Sequence, residues 1–360
     1  MALMDEPTAV LTEKETEGLF QIVRNLKEKG MSIIYISHRL EEVIALCDRI
    51  TVLRDGKIVE TIDNQNRDTG KDFIVSKMVG HAVEKIVLEN KFLAVTVLSF
   101  GGVIQSLRVK DRAGAYRDAV LGFSNLENYI NQEYYIGTLI GRCANRIGGA
   151  SFEIGGQRVS LEANEGTNHL HGGSKGFWNV PFDVVEVGED FVTLGYVSPD
   201  GDGGYPGRLD TRVTYSVSGA ALTLDYAAAC DHDTVVNLTH HSYFNLEKSH
   251  TGDITGEILT LYADQFTEID DACASTGRIL HVENTPFDFR QGDYIGDRIF
   301  SQDDQMRKGS GLNHNYILDK PLGTFGKAAE VVSSDGLLTM RVESSMPVYR
   351  YTAATIWTAA

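Results

Sequence analysis

The sequence predicts a mainly β protein, with a large antiparallel β-sandwich over about residues 86–360 and a small α/β segment over about residues 1–85 before it. Short runs of alternating apolar and polar residues dominate from about Val87 onward, and glycine-rich turns separate them. Many short strands with turns between them are typical of a sandwich or barrel. Before Lys85, helical patterns alternate with strand patterns, which is typical of α/β structure. No Gly/Ser linker separates the two textures, and the domain boundary is expected near Lys85-Ile86.

The α/β segment begins with a helix whose start is marked by a capping box. Residues Thr12 to Glu15 read Thr-Glu-Lys-Glu, which places a hydroxyl at the N-cap and a carboxylate three residues later. The continuous apolar run over 32–36 predicts a strand buried on both faces. A second helix is expected over about 39–47, and the Asp-Gly dipeptide at 55–56 predicts a β-hairpin between two apolar runs.

The β region shows the alternation of half-buried strands. Apolar or β-branched residues recur at every second position over 192–196, 209–217 and 222–226. Glycine pairs at 155–156, 172–173 and 203–204 mark turns between such runs.

The composition limits the classes of partner and cofactor. The net charge of -17 argues against nucleic acid or an anionic membrane as a partner, because both attract a basic surface. The sequence has no apolar stretch of the length of a membrane helix, and residues 1–5 lack the features of a signal peptide, so we expect a cytoplasmic protein without membrane insertion. The four cysteines are far apart and form no CxxC pair, which predicts reduced thiols and no metal site.

Two short motifs in the α/β segment suggest half of a nucleotide site. Residues 3–8 read Leu-Met-Asp-Glu-Pro-Thr, and residues 36–39 read Ile-Ser-His-Arg. Each motif alone has an ordinary structural interpretation, because an Asp-Glu pair at a helix start commonly serves as a cap and dipole partner. Together they resemble the Walker B end and the switch histidine of ABC transporter ATPases. The run to about residue 84 resembles the closing half of the ATPase domain of a sugar-import ABC protein.

This resemblance implies that Asp5 holds Mg²⁺, that Glu6 polarises the attacking water and that His38 senses the γ-phosphate. The sequence has neither a GxxxxGK[ST] loop nor an LSGGQ signature, and the former supplies the backbone N–H groups and the lysine that bind phosphate. We therefore expect this partial ABC ATPase domain to have no ATPase activity. Residual association with ABC transporter subunits is left open.

A series of motifs in the β region follows the order known from one enzyme family. The motifs lie at 141–147 (GRCANRI), 168–173 (NHLHGG), 200–207 (DGDGGYPG) and 237–246 (NLTHHSYFNL). In this order they resemble the motifs of the aldose 1-epimerase (mutarotase) family, and the resemblance covers about residues 86–352. It implies a galactose mutarotase-like β-sandwich that interconverts the α and β anomers of a monosaccharide such as galactose or glucose.

The resemblance also implies roles for four residues. Mutarotation needs a general acid, a general base and groups that hold the sugar hydroxyls, and it needs no metal or organic cofactor. His241 corresponds to the general acid that protonates the ring oxygen, and His171 to a histidine that binds near it. An imidazole suits proton transfer because it titrates near neutrality. Asn145 and Arg146 correspond to hydroxyl-binding groups, since arginine offers a rigid fork of donors. The alternatives are structural histidines and a surface ion pair.

Four residues beside these motifs receive weaker interpretations. His169 and His240 are expected to face away from the site, because side chains alternate along strands, and to be structural. Phe177 and Trp178 are suited either to stacking on a sugar or to core packing, and the sequence leaves both interpretations open.

Two departures from the family pattern predict impaired activity. Asn313 stands where the family has an aspartate that accepts sugar hydroxyls, and it is proposed to bind substrate without a charge. The family's general base is a glutamate that would follow beyond Ala360, so the final strands are expected to be missing. Residues 346–352 resemble the strand before that glutamate, with Tyr349 in place of a glutamine. Glu343, the last glutamate, precedes this strand.

Three functional hypotheses follow. The first is an aldose 1-epimerase whose rate is lowered by loss of the general base, by on the order of 10² to 10⁴. The second is a non-catalytic carbohydrate-binding remnant. The third is an ATP-binding component of a sugar ABC transporter. A further hypothesis is that the chain joins two truncated genes and is no natural functional protein, and this hypothesis is compatible with the first.

Overall fold

The computed structural model of the chain, which describes residues 1–54, 56–80, 82–249 and 252–354, divides into two units. One comprises Met1–Val83 and the other Glu84–Ala360. The division lies beside the position at which the sequence changes texture.

The 1–83 unit has four strands and three helices among its described residues. They are β1 (Ala2–Asp5), α1 (Glu13–Glu28), β2 (Ile33–Ile36), α2 (Leu40–Leu46), β3 (Arg49–Arg54), β4 (Lys57–Asp63) and α3 (Lys71–Val79). Strands β1 and β2 pair in parallel, and β3 and β4 form an antiparallel pair. The strands of the predicted hairpin therefore pair as expected, while Asp55 of its turn lies outside the described residues.

The start of α1 has the predicted capping box. The Glu15 N–H donates to Thr12 Oγ1 at 3.4 Å, and Glu15 Oε2 accepts the Thr12 N–H at 2.9 Å. Two backbone donors at the helix start are thereby satisfied.

Strand β2 is not buried on both faces, and that prediction is wrong. Its residues alternate between half-buried and exposed, and Ile34 and Ile36 are 47% and 45% exposed. A continuous apolar run is typical of a strand with both faces covered, whereas β2 pairs with β1 alone among the described residues and is half-buried on one face only.

The 84–360 unit consists mainly of strands. Its first half contains β5 (Lys85–Glu89), β6 (Leu93–Leu98), β7 (Val103–Lys110), β8 (Tyr116–Asp118), α4 (Leu126–Ile130), β9 (Leu139–Ile140), β10 (Arg146–Ile147), β11 (Ser151–Ile154), β12 (Gln157–Ser160), β13 (His169–Leu170), β14 (Asp183–Val187), β15 (Phe191–Ser198), β16 (Leu209–Ser218) and β17 (Ala221–Cys230). The second half contains β18 (Thr239–His240), β19 (Ile258–Leu261), β20 (Gln265–Ile269), β21 (Ser275–His281), β22 (Asp293–Tyr294), α5 (Ile295–Ile299), α6 (Asp304–Lys308), β23 (Gly311–Ile317), β24 (Gly326–Val332), β25 (Thr339–Ser344) and β26 (Val348–Ala354).

Four antiparallel sheets of four strands dominate this unit. Their strand orders are β5-β6-β7-β8, β14-β15-β16-β17, β22-β19-β24-β25 and β21-β20-β23-β26. The predicted mainly β class is confirmed by this architecture. Over the described ranges, no helix combines the length and apolarity needed to cross a membrane.

All four sheets contribute to one apolar core. Val95, Val213, Leu259 and Tyr316, one from each sheet, are among its fully buried members. Strand β16 follows the predicted alternation, because every second residue from Leu209 onward is buried. Because every second side chain of such a strand enters the core, only the side chains between them can contribute to a binding site.

Candidate active site

His171 lies directly after β13, in a turn that its own motif requires. Its φ is +53°, and Gly172 follows with a φ of +86°. A Cβ at position 172 would lie 1.8 Å from the carbonyl oxygen of Gly141, so only glycine fits this turn. The backbone N–H of Asn145 donates to Nδ1 of His171 at 3.2 Å. In the neutral ring this bond leaves the proton on Nε2, which becomes the available donor.

His241 follows β18 and contacts His171 through its ring. The two ring centroids are 5.2 Å apart, and the rings are nearly perpendicular at 89°. The backbone holds His241 from both sides, because its N–H donates to the carbonyl of Thr138 and its carbonyl accepts from Gly137. The two histidines of separate motifs thus form one pair.

Both imidazoles are held neutral near pH 7. Burial, with a smaller effect from the charge of Arg350, lowers the pKa of His241 to about 4. Burial also holds the pKa of His171 well below 6.5, with added effects from His241 and from the guanidinium groups of Arg350 and Arg146. The neutral His171 ring therefore presents only its Nε2–H donor, because its Nδ1 already accepts from Asn145, whereas the neutral His241 ring carries one donor and one acceptor.

Tyr135 borders the histidine pair, and Trp178 packs against Tyr135. The ring of Tyr135 lies 4.7 Å from that of His171 and 5.1 Å from that of Trp178, between centroids. Trp178 donates its indole N–H to the carbonyl of Gly173 at 3.1 Å. Phe177, in contrast, is 1% exposed and belongs to the core. Of the two aromatic residues considered from the sequence, only Trp178 contacts Tyr135, the ring that borders the histidines.

Arg146 forms an ion pair with Glu165. Arg146 Nε donates to Glu165 Oε2 at 2.6 Å, and Nη2 donates to Oε1. The pair is bidentate, which fixes the plane of the guanidinium. The charge of Arg146 is therefore matched within the site.

Asn145 connects the histidine pair to β23. Its φ of +68° lies in the left-handed region, which asparagine tolerates better than most residues. Its side chain donates through Nδ2 to Asn315 Oδ1 at 3.3 Å. Its own Oδ1 is buried and has no hydrogen-bond partner among the described residues. A buried acceptor of this kind is free to accept a hydrogen bond from a ligand hydroxyl.

Asn313 and Arg350 meet across the pairing of β23 with β26. The register pairs Asn313 with Thr352 and Asn315 with Arg350, so these four side chains share one face. Arg350 Nη2 donates to Asn313 Oδ1 at 2.6 Å, and the Thr352 hydroxyl donates to the same oxygen at 3.2 Å. Burial, followed by the charge of Arg146, lowers the pKa of Arg350 to about 10.

The first arginine of the GRCANRI motif has a structural position. Arg142 is 2% exposed and donates to the Ser198 hydroxyl and to the carbonyls of Ser198, Pro199 and Pro206. It thereby ties β15 to the glycine-rich turn at 200–207. The motif thus contains one arginine that holds the scaffold and one, Arg146, that lies at the site.

The histidines beside the motif pair bond to the backbone. His169 Nδ1 lies 2.7 Å from the carbonyl oxygen of Glu162, and His240 Nε2 lies 3.1 Å from that of Gly102. The hydroxyl of Ser242 lies 3.0 Å from His240 Nδ1. Both positions suit structural residues.

The residues predicted for a nucleotide site lie in the other unit. Asp5 is the last residue of β1 and pairs with Ile36 of β2. Because the two strands are parallel, Glu6 and His38 come together at their carboxyl ends, with Glu6 Oε1 and His38 Nδ1 2.9 Å apart. The His38 N–H also donates to Glu6 Oε1 at 3.0 Å.

The structure brings the predicted sugar-site residues together and adds others. His171, His241, Asn145 and Asn313 are linked by the contacts above, and the charge of Arg146 acts on His171. Asp5, Glu6 and His38 are not part of this unit. Sequence reasoning missed Tyr135, Glu165, Asn315 and Arg350. The last two were detectable, because alternation along 311–317 and 348–352 places polar residues at every second position.

Neither of two surface cavities lies at this cluster. One, of about 570 Å³, is lined by residues of the 1–83 unit that include Phe20 and Arg39. The other, of about 460 Å³, lies beside β17 and is lined by residues that include Ala228 and Val236. The predicted concave sugar patch stays a prediction. Over the described ranges, no group of three or more His, Cys, Asp or Glu side chains is arranged to hold a metal.

Comparison with known proteins gives one consistent family. A family model described as "Aldose 1-epimerase" matches residues 84–358. The galactose mutarotase of Homo sapiens is 39% identical over 239 residues, which cover 66% of this chain and 68% of that protein. The aldose 1-epimerase of Escherichia coli (strain K12) is 32% identical over 263 residues, which cover 73% of this chain and 75% of that protein.

Solved structures agree with this result. A GalM/aldose epimerase homologue from C. elegans superposes with a TM-score of 0.69 at 29% identity, covering 75% of this chain and 81% of that one. A galactose 1-epimerase from Lactobacillus acidophilus superposes with a TM-score of 0.62 at 26% identity, covering 79% of this chain and 76% of that one.

Proposed function

The chain belongs to the aldose 1-epimerase family, which consists of isomerases, and from this membership we propose that its 84–360 unit interconverts the α and β anomers of an aldohexose such as galactose or glucose. The observation that supports the proposal most directly is the contact between two neutral imidazoles, His171 and His241, with ring centroids 5.2 Å apart. Mutarotation needs a proton removed from the anomeric hydroxyl and a proton delivered to the ring oxygen of the same sugar.

We assign His241 to proton delivery and His171 to holding the sugar near its ring oxygen. The bond from Asn145 to Nδ1 of His171 leaves an Nε2–H group as hydrogen-bond donor. Arg146, Asn145 and Asn313 are proposed to bind hydroxyl groups. Protonation of the ring oxygen, with loss of the anomeric hydroxyl proton to solvent water, breaks the bond between C1 and the ring oxygen and leaves an aldehyde. The aldehyde turns about the C1–C2 bond, and the reverse steps on its other face give the second anomer.

Two features lead us to expect slow turnover. A pKa of about 4 leaves His241 as imidazolium in only about 10⁻³ of unliganded molecules at pH 7. Among the described residues of the cluster, the carboxylate is Glu165, and both of its oxygens bond to Arg146. A carboxylate engaged in this way is a poor proton acceptor. The impaired activity expected from the sequence therefore stays our proposal.

Polarimetry with freshly dissolved α-D-galactose tests the function. The protein should accelerate the approach to equilibrium above the spontaneous rate in buffer. His241→Gln should remove this acceleration, because loss of a general acid costs on the order of 10² to 10⁴ in rate. His232→Gln serves as matched control, since His232 is 70% exposed and bonds to Asp231 at the surface. Undiminished acceleration by the His241→Gln variant would contradict the assignment.

A non-catalytic carbohydrate-binding function is the second candidate. It is favoured by Glu165, whose engagement with Arg146 leaves the site without a free carboxylate among its described residues. Calorimetric titration with galactose, which measures binding, separates the two candidates when it is combined with the polarimetry, which measures acceleration. Binding without acceleration of mutarotation supports the second, and acceleration supports the first.

We further propose that the 1–83 unit derives from the ATPase domain of a sugar-import ABC transporter. The approach of Glu6 to His38 at the carboxyl ends of two parallel strands supports this proposal, because that family's hydrolytic glutamate and switch histidine would meet at such an edge. Residual association with ABC transporter subunits belongs to the same proposal.

A further inference from the structure

We propose that this sugar site is suited to an anionic pyranose, one bearing a carboxylate or a phosphate group that would lie against Arg350. The inference rests on the proposed function of the 84–360 unit and names the class of sugar that the unit would prefer.

Arg350 has donors left over. It lies on the face of β26 that also presents Thr352, while its neighbours Tyr349 and Tyr351 pack against the core. Its guanidinium donates from Nη2 to Asn313 and from Nη1 to Asn315, at 2.6 and 3.4 Å. An arginine has five N–H donors. Three of them, including Nε, therefore have no acceptor among the described residues.

Arg142 shows what a purely structural buried arginine looks like in the same unit. It makes four hydrogen bonds through Nε, Nη1 and Nη2, three of them to backbone carbonyls, around a turn that it holds in place. Arg350 holds only two amide oxygens on its own pair of strands. The two arginines differ in how far their donors are used, and that difference indicates a ligand for Arg350.

The charge of Arg350 is not matched by a bonded carboxylate. Both acceptors are neutral amides, and Glu165 acts on Arg350 only at longer range because it is bonded to Arg146. The imidazoles of His171 and His241 are neutral at pH 7. A partly buried cation without a bonded anion is unfavourable. A carboxylate or phosphate that takes the unused N–H groups would form charge-assisted bonds and remove this cost.

The position of Arg350 favours an anion that belongs to the sugar itself. Hydrogen bonds run from Arg350 to Asn315, from Asn145 to the same Asn315 oxygen, and from the Asn145 backbone to His171. The charge of Arg350 also lowers the pKa of both His171 and His241. In a hexopyranose, C6 is bonded to C5, and C5 is bonded to the ring oxygen. An acid group at C6 would therefore approach Arg350 while the ring oxygen approaches the histidines.

An anionic substrate would also help the chemistry. Neutralising Arg350 removes one of the causes that lower the pKa of His241. The fraction of imidazolium available to protonate the ring oxygen would then rise. Binding and proton delivery would be improved by the same contact.

Calorimetric titration of the full chain with galactose, galacturonate and galactose 6-phosphate tests the proposal. At low salt we expect at least one anionic sugar to bind about tenfold more tightly than galactose. Arg350→Gln should bring this ratio towards one, and Arg350→Lys should retain part of it, because the charge stays but the planar fork is lost. Arg341→Gln is the matched control, since Arg341 is an exposed arginine of β25 that pairs with Glu330. The Arg341→Gln variant should keep the tenfold ratio between the affinities for the anionic sugar and for galactose.

The outcomes separate this inference from the function on which it depends. Preference for galacturonate indicates a carboxylate and preference for galactose 6-phosphate a phosphate, and either result supports the proposal. Galactose binding as tightly as both anionic sugars overturns the inference and leaves the proposed function intact. Retention of the preference by a folded Arg350→Gln variant also overturns it. If none of the three sugars binds, the proposed function fails and the inference with it.

Discussion

The two units contain similar networks of charged side chains at very different depths. In the 1–83 unit, Asp48 lies between Lys27 and Arg67, and all three side chains are 31% to 46% exposed. In the 84–360 unit, Arg117 lies between Asp111 and Asp335, and the side chains of Arg117 and Asp111 are each 3% exposed. Loss of such an ion pair should therefore change the free energy of unfolding little in the 1–83 unit and much in the 84–360 unit. The reason is that water screens the exposed charges and does not screen the buried ones.

Apolar side chains show the same contrast. Leu3, Ile34 and Ile36 of the small parallel sheet are 65%, 47% and 45% exposed. The alternating residues of β16 are almost entirely buried in the core of the larger unit. The strands that carry the motifs of the 1–83 unit thus bury little of their apolar side chains. The motifs of the 84–360 unit lie on strands that pack into a core.

The largest expected effect comes from Arg117→Met. The change leaves Asp111 and Asp335 as unpaired carboxylates, and loss of one partner of a buried network costs about 3–5 kcal/mol in the free energy of unfolding. Urea unfolding followed by tryptophan fluorescence measures it. The sequence has no tryptophan before residue 84, and Trp178 lies in the 84–360 unit, so the fluorescence does not report on the 1–83 unit.

Asp48→Asn in the other unit is the matched control for Arg117→Met. Its exposed pairs with Lys27 and Arg67 should contribute no more than about 1 kcal/mol, measured through the helical circular dichroism of the 1–83 unit. Equal losses for the two variants would show that burial does not distinguish the networks.

Acidification should give the next largest effect, and only in the 84–360 unit. Burial lowers the pKa of His240 and His241 to about 4 and that of His314 to about 3. An unfolded histidine takes up a proton near pH 6.5, so stability is present above that pH and is lost as the pH falls towards 4. Each of these three histidines lowers the free energy of unfolding by about 2 kcal/mol at pH 5. Glu257, whose pKa is raised to about 7 by burial, acts in the opposite direction.

The three histidines outweigh the glutamate by roughly 3 kcal/mol in the free energy of unfolding on going from pH 7 to pH 5. The lowered pKa values of His169 and His171 add to this loss. In the 1–83 unit the pKa of Asp48 is lowered, chiefly by Lys27, so its contribution is lost only below about pH 4. Urea midpoints at the two pH values measure the difference between the units. His240→Gln should reduce the pH dependence. His232→Gln should not reduce it, because Asp231 raises the pKa of this exposed histidine and its protonation favours the folded state as the pH falls. A midpoint that does not move between pH 7 and pH 5 would refute the prediction.

Local patterns in the sequence predicted local structure well. The Thr12–Glu15 capping box and the alternation of β16 depend on neighbours a few residues away, and both were found as expected. The burial of β2 depends on which elements cover it, and that prediction was wrong. The motif order was sufficient to identify the family, because it samples positions throughout the β region.

The composition of the site was harder to predict because it depends on strand register. Arg350 faces the cluster since β26 pairs with β23 in one register, and a shift of one residue would place Tyr349 there instead. Sequence reasoning selected Tyr349 as the substitute for a family residue, and in the structure Tyr349 packs against the core. Likewise, the low pKa of His241 follows from burial, which the motif alone does not reveal.

The smallest effect is expected for the nucleotide-site remnant. Glu6 and His38 form a contact whose side chains are 36% and 55% exposed, so its loss should change the stability of the 1–83 unit little. Binding ATP needs a nest of backbone N–H groups and a lysine to hold the phosphates, and the sequence contains no GxxxxGK[ST] motif to supply them. We therefore expect a fluorescent ATP analogue with Mg²⁺ to give no saturable binding signal with the full chain.

The Glu6→Gln variant should give the same absence of binding as the unaltered protein. Glu17→Gln, a control on the exposed surface of α1, should also give it. Saturable, Mg²⁺-dependent binding that Glu6→Gln abolishes and Glu17→Gln retains would show that the small unit keeps a working nucleotide site despite its limited burial.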